Sequence, residues 1–325
     1  MESYSVCVDL LIVLALHICI VPVPGQLWSE WWTYQGISGP KFWGYHNPEW
    51  ILCRKGKLQS PIDIDPHNLI YDQNLRQLEI GQDKIDGKLI NTGHDLTLTV
   101  DDLDFTFTGG PLSYDYIVYE IKIHLGNSDR VGSEHTVGGN AFPMEIQIVG
   151  YNGELYTNAS QALLSPHGLA AISVMAMVTE SGNEHFGKLV DMSKSIEHRG
   201  MQKDIQGFSV SQMLPTSDYF ITYEGSLTQP GCHETVTWII LNKPIHVSKD
   251  QLNLLRELTF TGGKGDGLME NNFRPPLPLN RRLVRTNIQS NSQDEECHAR
   301  KVTFYQVSYR SLEFDLHGGV LEVTQ

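Results

Sequence analysis

The sequence has little positive charge and no apolar stretch long enough to cross a membrane. Lys and Arg total 24 against 38 Asp and Glu, which gives a formal net charge of −14. An acidic surface disfavours nucleic acids and anionic membranes as main partners. The longest apolar run, 10–21, has 12 residues, whereas a transmembrane helix needs about 20. We therefore predict no nucleic-acid partner and no transmembrane segment.

The apolar run near the N-terminus has the length of a secretory signal-peptide core. Small residues follow it and suit cleavage before Gln26. Its flank is atypical, because Glu2 and Asp9 stand where basic residues are usual. We predict a signal peptide at 1–25 and a secreted, extracellular protein. An uncleaved anchor and a wrongly assigned start are the alternatives.

Cysteine is scarce, and an odd number follows the predicted signal peptide. Cys53, Cys232 and Cys297 remain, and an oxidising compartment favours disulfides among them. The leftover thiol either stays free or capped, or it joins a second chain. The sequon that begins at Asn158 predicts N-glycosylation, which agrees with secretion.

Alternating apolar residues predict a chain built mostly of β-strands. The predicted strands are 95–100, 116–125, 144–149, 172–178, 219–223 and 235–241, and the predicted helices are 184–198 and 248–258, the second with Ser248 as its N-cap. Within the second strand, Ile117, Tyr119, Ile121, Ile123 and Leu125 are predicted to share one face. Few helices and no alternation of strands with helices favour an antiparallel or mixed sheet.

Two segments of different composition flank the strand-rich part. Residues 26–58 are rich in aromatics and lack a regular period, so we predict an arm whose rings pack on the domain; a carbohydrate or ligand platform is the alternative. After 288 the chain becomes polar and acidic, with weak alternation at 302–309. We predict a domain at 26–288 and a C-terminal tail at 289–325.

Polar side chains on two predicted strands are expected to converge. Alternate residues of a strand point to the same face, so Glu120, Lys122 and His124 share the face opposite the apolar one. Gln147 lies on the next strand, with Glu145 on its side. If these strands are neighbours, Lys122, His124 and Gln147 meet at one point, as three ligands of a metal would.

This layout resembles the α-class carbonic anhydrases. In that family a His-x-His strand and a Glu-x-His strand hold one Zn²⁺, and here Lys122 and Gln147 replace the first and third histidines while His124 remains. Further matching motifs are Gln59–Ile62, Asn91–His94, Tyr223–Pro230 and Asn271–Pro275. The matches cover about residues 30–288. The resemblance implies a mostly β (α+β) fold, with a central, mostly antiparallel twisted sheet of about ten strands and short peripheral helices.

The resemblance also implies the roles that residues of a working enzyme would have. His94 matches the proton-shuttle histidine, Glu134 and Thr228 match the pair that orients the zinc-bound hydroxide, and Val149, Leu227 and Trp238 match the apolar pocket wall. The alternative for each polar residue is a structural hydrogen bond. A lysine ammonium has no lone pair and a glutamine oxygen is a weak ligand. Without zinc no bound water is activated, so we predict no cofactor, vestigial site residues and no enzyme activity.

The combination of a basic residue, His124 and Gln147 is most similar to the secreted, catalytically silent carbonic-anhydrase-related proteins ten and eleven. There the basic residue is usually Arg. The resemblance implies a Cys53–Cys232 disulfide. It also implies an intermolecular role for Cys297 and a cell-surface partner of the neurexin type at synapses.

Two other functions and one structural hypothesis follow from the same residues. A weak zinc hydratase is possible if Glu134 or another group completes a metal site. A binder of an anion or small molecule would use Lys122 in the cleft that holds the active site in the carbonic anhydrases. We also hypothesise that the Lys122 ammonium fills the space of the metal, near Glu120, Glu145 or Glu134, because a buried cation needs such a partner.

Overall fold

The computed structural model describes residues 31–81, 84–261 and 267–289. The description below concerns the unit that begins at Thr33. The predicted signal peptide and the tail with Cys297 lie outside the described residues. No helix in the described ranges is long and apolar enough to cross a bilayer.

The described chain is dominated by short and medium strands. The strands are β1 Asp63–Ile64, β2 Ile70–Tyr71, β3 Leu78–Ile80, β4 Lys84–Asn91, β5 Leu96–Val100, β6 Thr106–Gly109, β7 Tyr116–Leu125, β8 Thr136–Val137, β9 Met144–Asn152, β10 Leu169–Val178, β11 Gln202–Ser209, β12 Phe220–Gly225, β13 Val236–Leu241, β14 Ile245–Val247 and β15 Arg285–Thr286. The α-helices are α1 Trp43–His46, α2 Leu52–Lys55, α3 Ala159–Ala162, α4 Glu184–Ser193 and α5 Lys249–Arg256.

One large twisted sheet organises the domain and contains 13 of the described strands. Its main path runs β11-β4-β5-β7-β9-β10-β13-β12-β15-β2, with β3, β6 and β14 joined at its sides. Most neighbours are antiparallel; the parallel pairs in this sheet are β10 with β13, β10 with β14, and β15 with β2. The predicted architecture, a mostly antiparallel sheet about ten strands wide, is confirmed.

A bulge in β7 makes one prediction wrong. The register of β7 on β9 shifts between Val118 and Glu120. Val118 therefore packs with Ile121 in the larger apolar cluster, whereas Ile117 and Tyr119 pack against the smaller one on the other face. The single face predicted from Ile117 onward fails for its first two members, because an extra residue reverses the alternation.

The two longest helices begin as predicted and end earlier. The helix α5 begins after Ser248, whose side chain accepts from the backbone of Gln251 while the Gln251 side chain accepts from the Ser248 backbone. It ends at Arg256 rather than near 258. The helix α4 ends at Ser193, and the remaining predicted residues turn toward β11.

The aromatic arm contains short helical turns rather than an irregular chain. Trp43 and Trp50 are buried, and the Trp43 indole Nε1 donates to the carbonyls of Thr33 and Ser38, both at 3.0 Å. A disulfide joins Cys53 of α2 to Cys232, with the two Cα atoms 5.0 Å apart. The expected disulfide is thus present and fastens the arm to the loop after β12.

Candidate functional site

The pairing of β7 with β9 brings the predicted site residues together at the middle of the sheet. Lys122 lies directly opposite Gln147, and His124 lies opposite Glu145. His124, Gln147 and Glu145 are buried, while the Lys122 side chain is 15% exposed. The polar face of β7 and the facing side chains of β9 therefore form one compact centre with an opening at Lys122.

The Lys122 ammonium is held by side chains at that opening. Its Nζ lies 3.2 Å from Glu120 Oε1 and donates to the Gln229 side-chain oxygen. Burial alone would lower the pKa of Lys122, but the negative charges of Glu120 and Asp95 outweigh it and raise the pKa. Lys122 is consequently a cation at neutral pH. Of the partners hypothesised, Glu120 is in contact, and Glu134 contributes only at longer range.

Asp95 supplies a second negative charge near the Lys122 ammonium. The sequence analysis did not predict this residue as part of the site. Its Oδ1 accepts from the hydroxyls of Thr92 at 2.7 Å and Thr97 at 2.6 Å, and its Oδ2 accepts from Gln229 Nε2. Burial raises its pKa, but the Lys122 charge and the two threonine hydroxyls lower it by more, so the net shift is downward. The one feature of the sequence that points to Asp95 is that a carboxylate stands at the first position of the predicted strand 95–100.

Gln147 binds the two carboxylates beneath the centre. Its Nε2 donates to Glu134 Oε2 at 2.8 Å and to Glu145 Oε1 at 3.0 Å. The other oxygen of Glu134 accepts from the backbone N–H of Arg274 at 2.9 Å. Within the described part of the chain no hydrogen bond joins the Thr228 hydroxyl to Glu134. The carboxylate that the resemblance pairs with Thr228 is bonded to Gln147 instead.

Glu145 is a buried anion fixed by many donors. Its Oε2 accepts from the backbone N–H groups of Glu134 and His135, and its Oε1 accepts from Ser173 Oγ and lies 2.8 Å from His135 Nδ1. Burial raises the pKa of Glu145, but the neighbouring His135 reverses the effect and lowers it to about 2. His135 Nε2 in turn lies 2.7 Å from the Tyr223 hydroxyl.

His124 presents one imidazole nitrogen without a partner. Its Nδ1 is 2.7 Å from the carbonyl oxygen of Asn272. A carbonyl only accepts, so Nδ1 carries the proton and Nε2 offers a lone pair. That Nε2 is buried, and it has no hydrogen-bond partner among the described residues.

These donors do not fit Zn²⁺. A catalytic zinc site takes three protein ligands, mostly neutral imidazoles, and leaves one position open. Here His124 offers one nitrogen, Lys122 is a cation, and the Gln147 amide nitrogen is donating to two carboxylates. Within the described ranges no cluster of three His, Cys, Asp or Glu side chains suits a metal ion.

The remaining predicted residues lie around this centre. His94 is partly buried, and its backbone carbonyl accepts from Asn272 Nδ2 at 3.1 Å. Val149 and Trp238 are buried in one apolar cluster, and Leu227 packs against it. Asn158 is exposed, and its side chain accepts from the Gln161 backbone at 2.9 Å. Cys297 lies outside the described residues.

The chain is similar to known proteins over most of its length. The sequence pattern of the eukaryotic-type carbonic anhydrases matches residues 38–288. The chain belongs to this carbonic anhydrase family. Carbonic anhydrase-like protein 2 of Caenorhabditis elegans is 41% identical over 269 residues, which cover 80% of each chain. Carbonic anhydrase-like protein 1 of the same organism is 32% identical over 328 residues, 79% of this chain and 90% of that protein.

Membership in the carbonic anhydrase family gives the polar centre its context. The strands β7 and β9, which carry the centre, lie within the stretch of the chain that matches the family. The finer similarity to carbonic-anhydrase-related proteins ten and eleven stays a prediction.

Proposed function

We propose that this protein is a secreted, catalytically inactive carbonic anhydrase-related protein that acts as a ligand of a cell-surface protein. One observation supports the first part of this proposal, the lack of catalysis. Lys122 and Gln147 stand at two metal-ligand positions, and both are engaged by neighbouring side chains. Hydration of CO₂ in this family needs a zinc-bound water with a pKa near 7. A single free imidazole nitrogen is poorly suited to hold that metal.

A stopped-flow assay of CO₂ hydration, run with added zinc, tests this half. We expect the purified full-length chain to give the rate of buffer alone. The matched control is the double variant Lys122→His/Gln147→His, which returns three imidazoles to the site and is expected to bind zinc. Hydration by the unaltered chain that rises with zinc and disappears with a chelator would contradict the proposal.

The ligand half is supported by the resemblance to proteins ten and eleven and by the cysteine count. The Cys53–Cys232 disulfide leaves Cys297 as the odd cysteine after the predicted signal peptide. We propose a neurexin-type partner and a disulfide to it through Cys297. Because one cysteine is left over after the predicted signal peptide and the internal disulfide, a single intermolecular bond is the simplest form.

Cells that display a neurexin ectodomain provide the test of this half. Non-reducing electrophoresis of the captured complex should show a covalent species that Cys297→Ser abolishes, with the Cys53–Cys232 pair unchanged as internal control. Absence of any capture would contradict the neurexin-type partner. Equal covalent capture by Cys297→Ser would contradict the intermolecular bond.

Anion binding in the old cleft is less well supported. The Lys122 charge is already opposed by Glu120 at 3.2 Å and by the Asp95 carboxylate behind Gln229. An incoming anion would meet two carboxylates for one ammonium. The arrangement therefore favours a self-contained polar centre over an anion site.

A further inference from the structure

Exposed apolar and aromatic side chains are concentrated on the N-terminal arm. Ile37 is 72% exposed, Phe42 42% and Tyr45 66%. His46 links the first two: its Nε2 lies 2.5 Å from the Ile37 carbonyl oxygen, and its ring centroid lies 6.2 Å from that of Phe42. The Arg54 guanidinium lies 4.4 Å from the centroid of the Tyr45 ring. We name these five residues the arm patch.

The arm patch is held rigidly by the structure beneath it. The helices α1 and α2 and the turn Pro48–Trp50 pack on one another, and Cys53 in α2 is bonded to Cys232. Gly44 permits the close packing, because a Cβ there would lie 2.6 Å from the Arg54 Cβ. Side chains fixed before binding lose less conformational freedom when a partner arrives. The exposed rings are therefore presented in a defined arrangement.

The exposed charged residues of the arm segment 41–57 are mostly positive, whereas the protein as a whole is acidic. Lys41, Arg54, Lys55 and Lys57 are exposed within a chain of formal net charge −14. In the part of the chain that the structure describes, no ion pair joins any of these four to a carboxylate. Glu49 is the one exposed acid within the same segment, 41–57. The arm thus combines exposed rings with an excess of exposed cations over exposed acids.

We infer that the arm patch is a docking surface for an acidic peptide segment of a partner protein, one that carries apolar side chains between its carboxylates. The apolar side chains cover Ile37, Phe42 and Tyr45, and the carboxylates approach the four cations. Aromatic and arginine side chains are the groups most enriched at binding hot spots. A sulfated glycan would use the cations and leave the rings uncovered, so the combination favours a peptide.

This inference rests on the proposed ligand function and names the surface that performs it. The two fail separately. Absence of capture by cells that display a neurexin ectodomain contradicts the proposed partner and leaves probe binding at the arm unaffected. Equal peptide affinity of patch variants and control variants contradicts the docking surface and leaves covalent capture through Cys297 unaffected.

A fluorescent peptide in which glutamate alternates with leucine is the probe. Anisotropy titrations of the full-length chain should show tighter binding of this peptide than of its glutamine–leucine or glutamate–serine counterparts. Arg54→Glu/Lys55→Glu should weaken it about tenfold, since two exposed charges are reversed. Tyr45→Ser should weaken it about fivefold or more, as loss of an interface aromatic does.

Matched control variants carry the same changes elsewhere on the surface. Lys84 on β4, Lys203 on β11 and Tyr219 before β12 are exposed. Lys84→Glu/Lys203→Glu, which also reverses two charges, and Tyr219→Ser should bind the probe as the unaltered chain does. Losses equal to those of the arm variants would overturn the assignment of the surface, because the probe would then be responding to overall charge or apolarity.

Two further results would overturn the choice of occupant. Heparin fragments that compete with the probe and bind Tyr45→Ser as tightly as the unaltered chain would assign the cations to a sulfated polymer. The chain's own acidic run at Asp294–Glu296 is the other competitor. If neutralising it with Asp294→Asn/Glu295→Gln/Glu296→Gln raises probe affinity about tenfold, the arm patch binds the chain's own tail. Unchanged affinity supports an external partner.

Discussion

Replacement of Lys122 by methionine tests whether its ammonium stabilises the fold by balancing buried carboxylates. Methionine keeps most of the volume and removes the charge. Asp95 would then remain buried without its cation, and Glu120, which is 18% exposed, would lose its 3.2 Å contact. Removing one member of a buried charge pair costs about 3–5 kcal/mol. Because Lys122 is 15% exposed, we expect a loss near the lower end, about 3 kcal/mol.

The loss should depend on pH in a defined way. The pKa of Asp95 is lowered in the folded protein, so its contribution is present above its unfolded pKa, about 3.9, and disappears as the pH falls. The pKa of Lys122 is raised, so its contribution is present below its unfolded pKa, about 10.4, and disappears as the pH rises through the folded value. The difference in the free energy of unfolding between the unaltered chain and Lys122→Met should therefore be constant near neutral pH. It should become smaller at both low and high pH.

Urea unfolding with the disulfide intact measures the free energy of unfolding of the unaltered chain and of Lys122→Met. The matched control is Lys188→Met, since Lys188 lies 3.8 Å from Glu184 on α4 with side chains 54% and 85% exposed. An exposed pair of this kind contributes less than about 0.5 kcal/mol. If Lys122→Met and Lys188→Met change the free energy of unfolding equally, Lys122 is a solvated side chain and the reasoning is refuted.

Three further predictions concern the centre and the disulfide. Gln147→Glu places a third carboxylate against Glu134 and Glu145 and should lower stability by about 3 kcal/mol near pH 7; thermal unfolding at unchanged temperature would argue against the described bonds. Glu145, with a pKa near 2, contributes stability above about pH 4 that is lost toward pH 2. In the variant Glu145→Gln the urea concentration at the midpoint of unfolding should therefore fall less as the pH is lowered. An unchanged fall would contradict the stabilising role of the Glu145 carboxylate. Cys53→Ser/Cys232→Ser should cost about 2–5 kcal/mol in urea unfolding; an equally stable variant would mean the link constrains nothing.

The framework of the fold was open to prediction because it depends on local patterns. The alternation in β7 placed Lys122 and His124 on one face of a strand, and Ser248 marked the start of α5 from residue type alone. The bulge between Val118 and Glu120 was missed because the apolar residues on both sides of it keep an unbroken alternation in the sequence. The helical turns of the arm were missed because they are too short to show a period.

The bonding of the polar centre was not open to prediction, because it depends on contacts between distant segments. Gln229 bridges Lys122 and Asp95, and its side chain reaches Asp95 across 134 positions of sequence. The sequence does not show where the Gln229 side-chain amide points. The same holds for Glu134, whose bond to Gln147 in place of Thr228 depends on side-chain orientation.

The most direct test of the central claim is the zinc content of the purified protein after mild chelation, measured by elemental mass spectrometry against an active carbonic anhydrase treated alike. Bonding of Lys122 and Gln147 within the centre predicts no zinc in this protein while the active enzyme retains its metal. About one zinc per chain, the stoichiometry of the active enzyme, would contradict it.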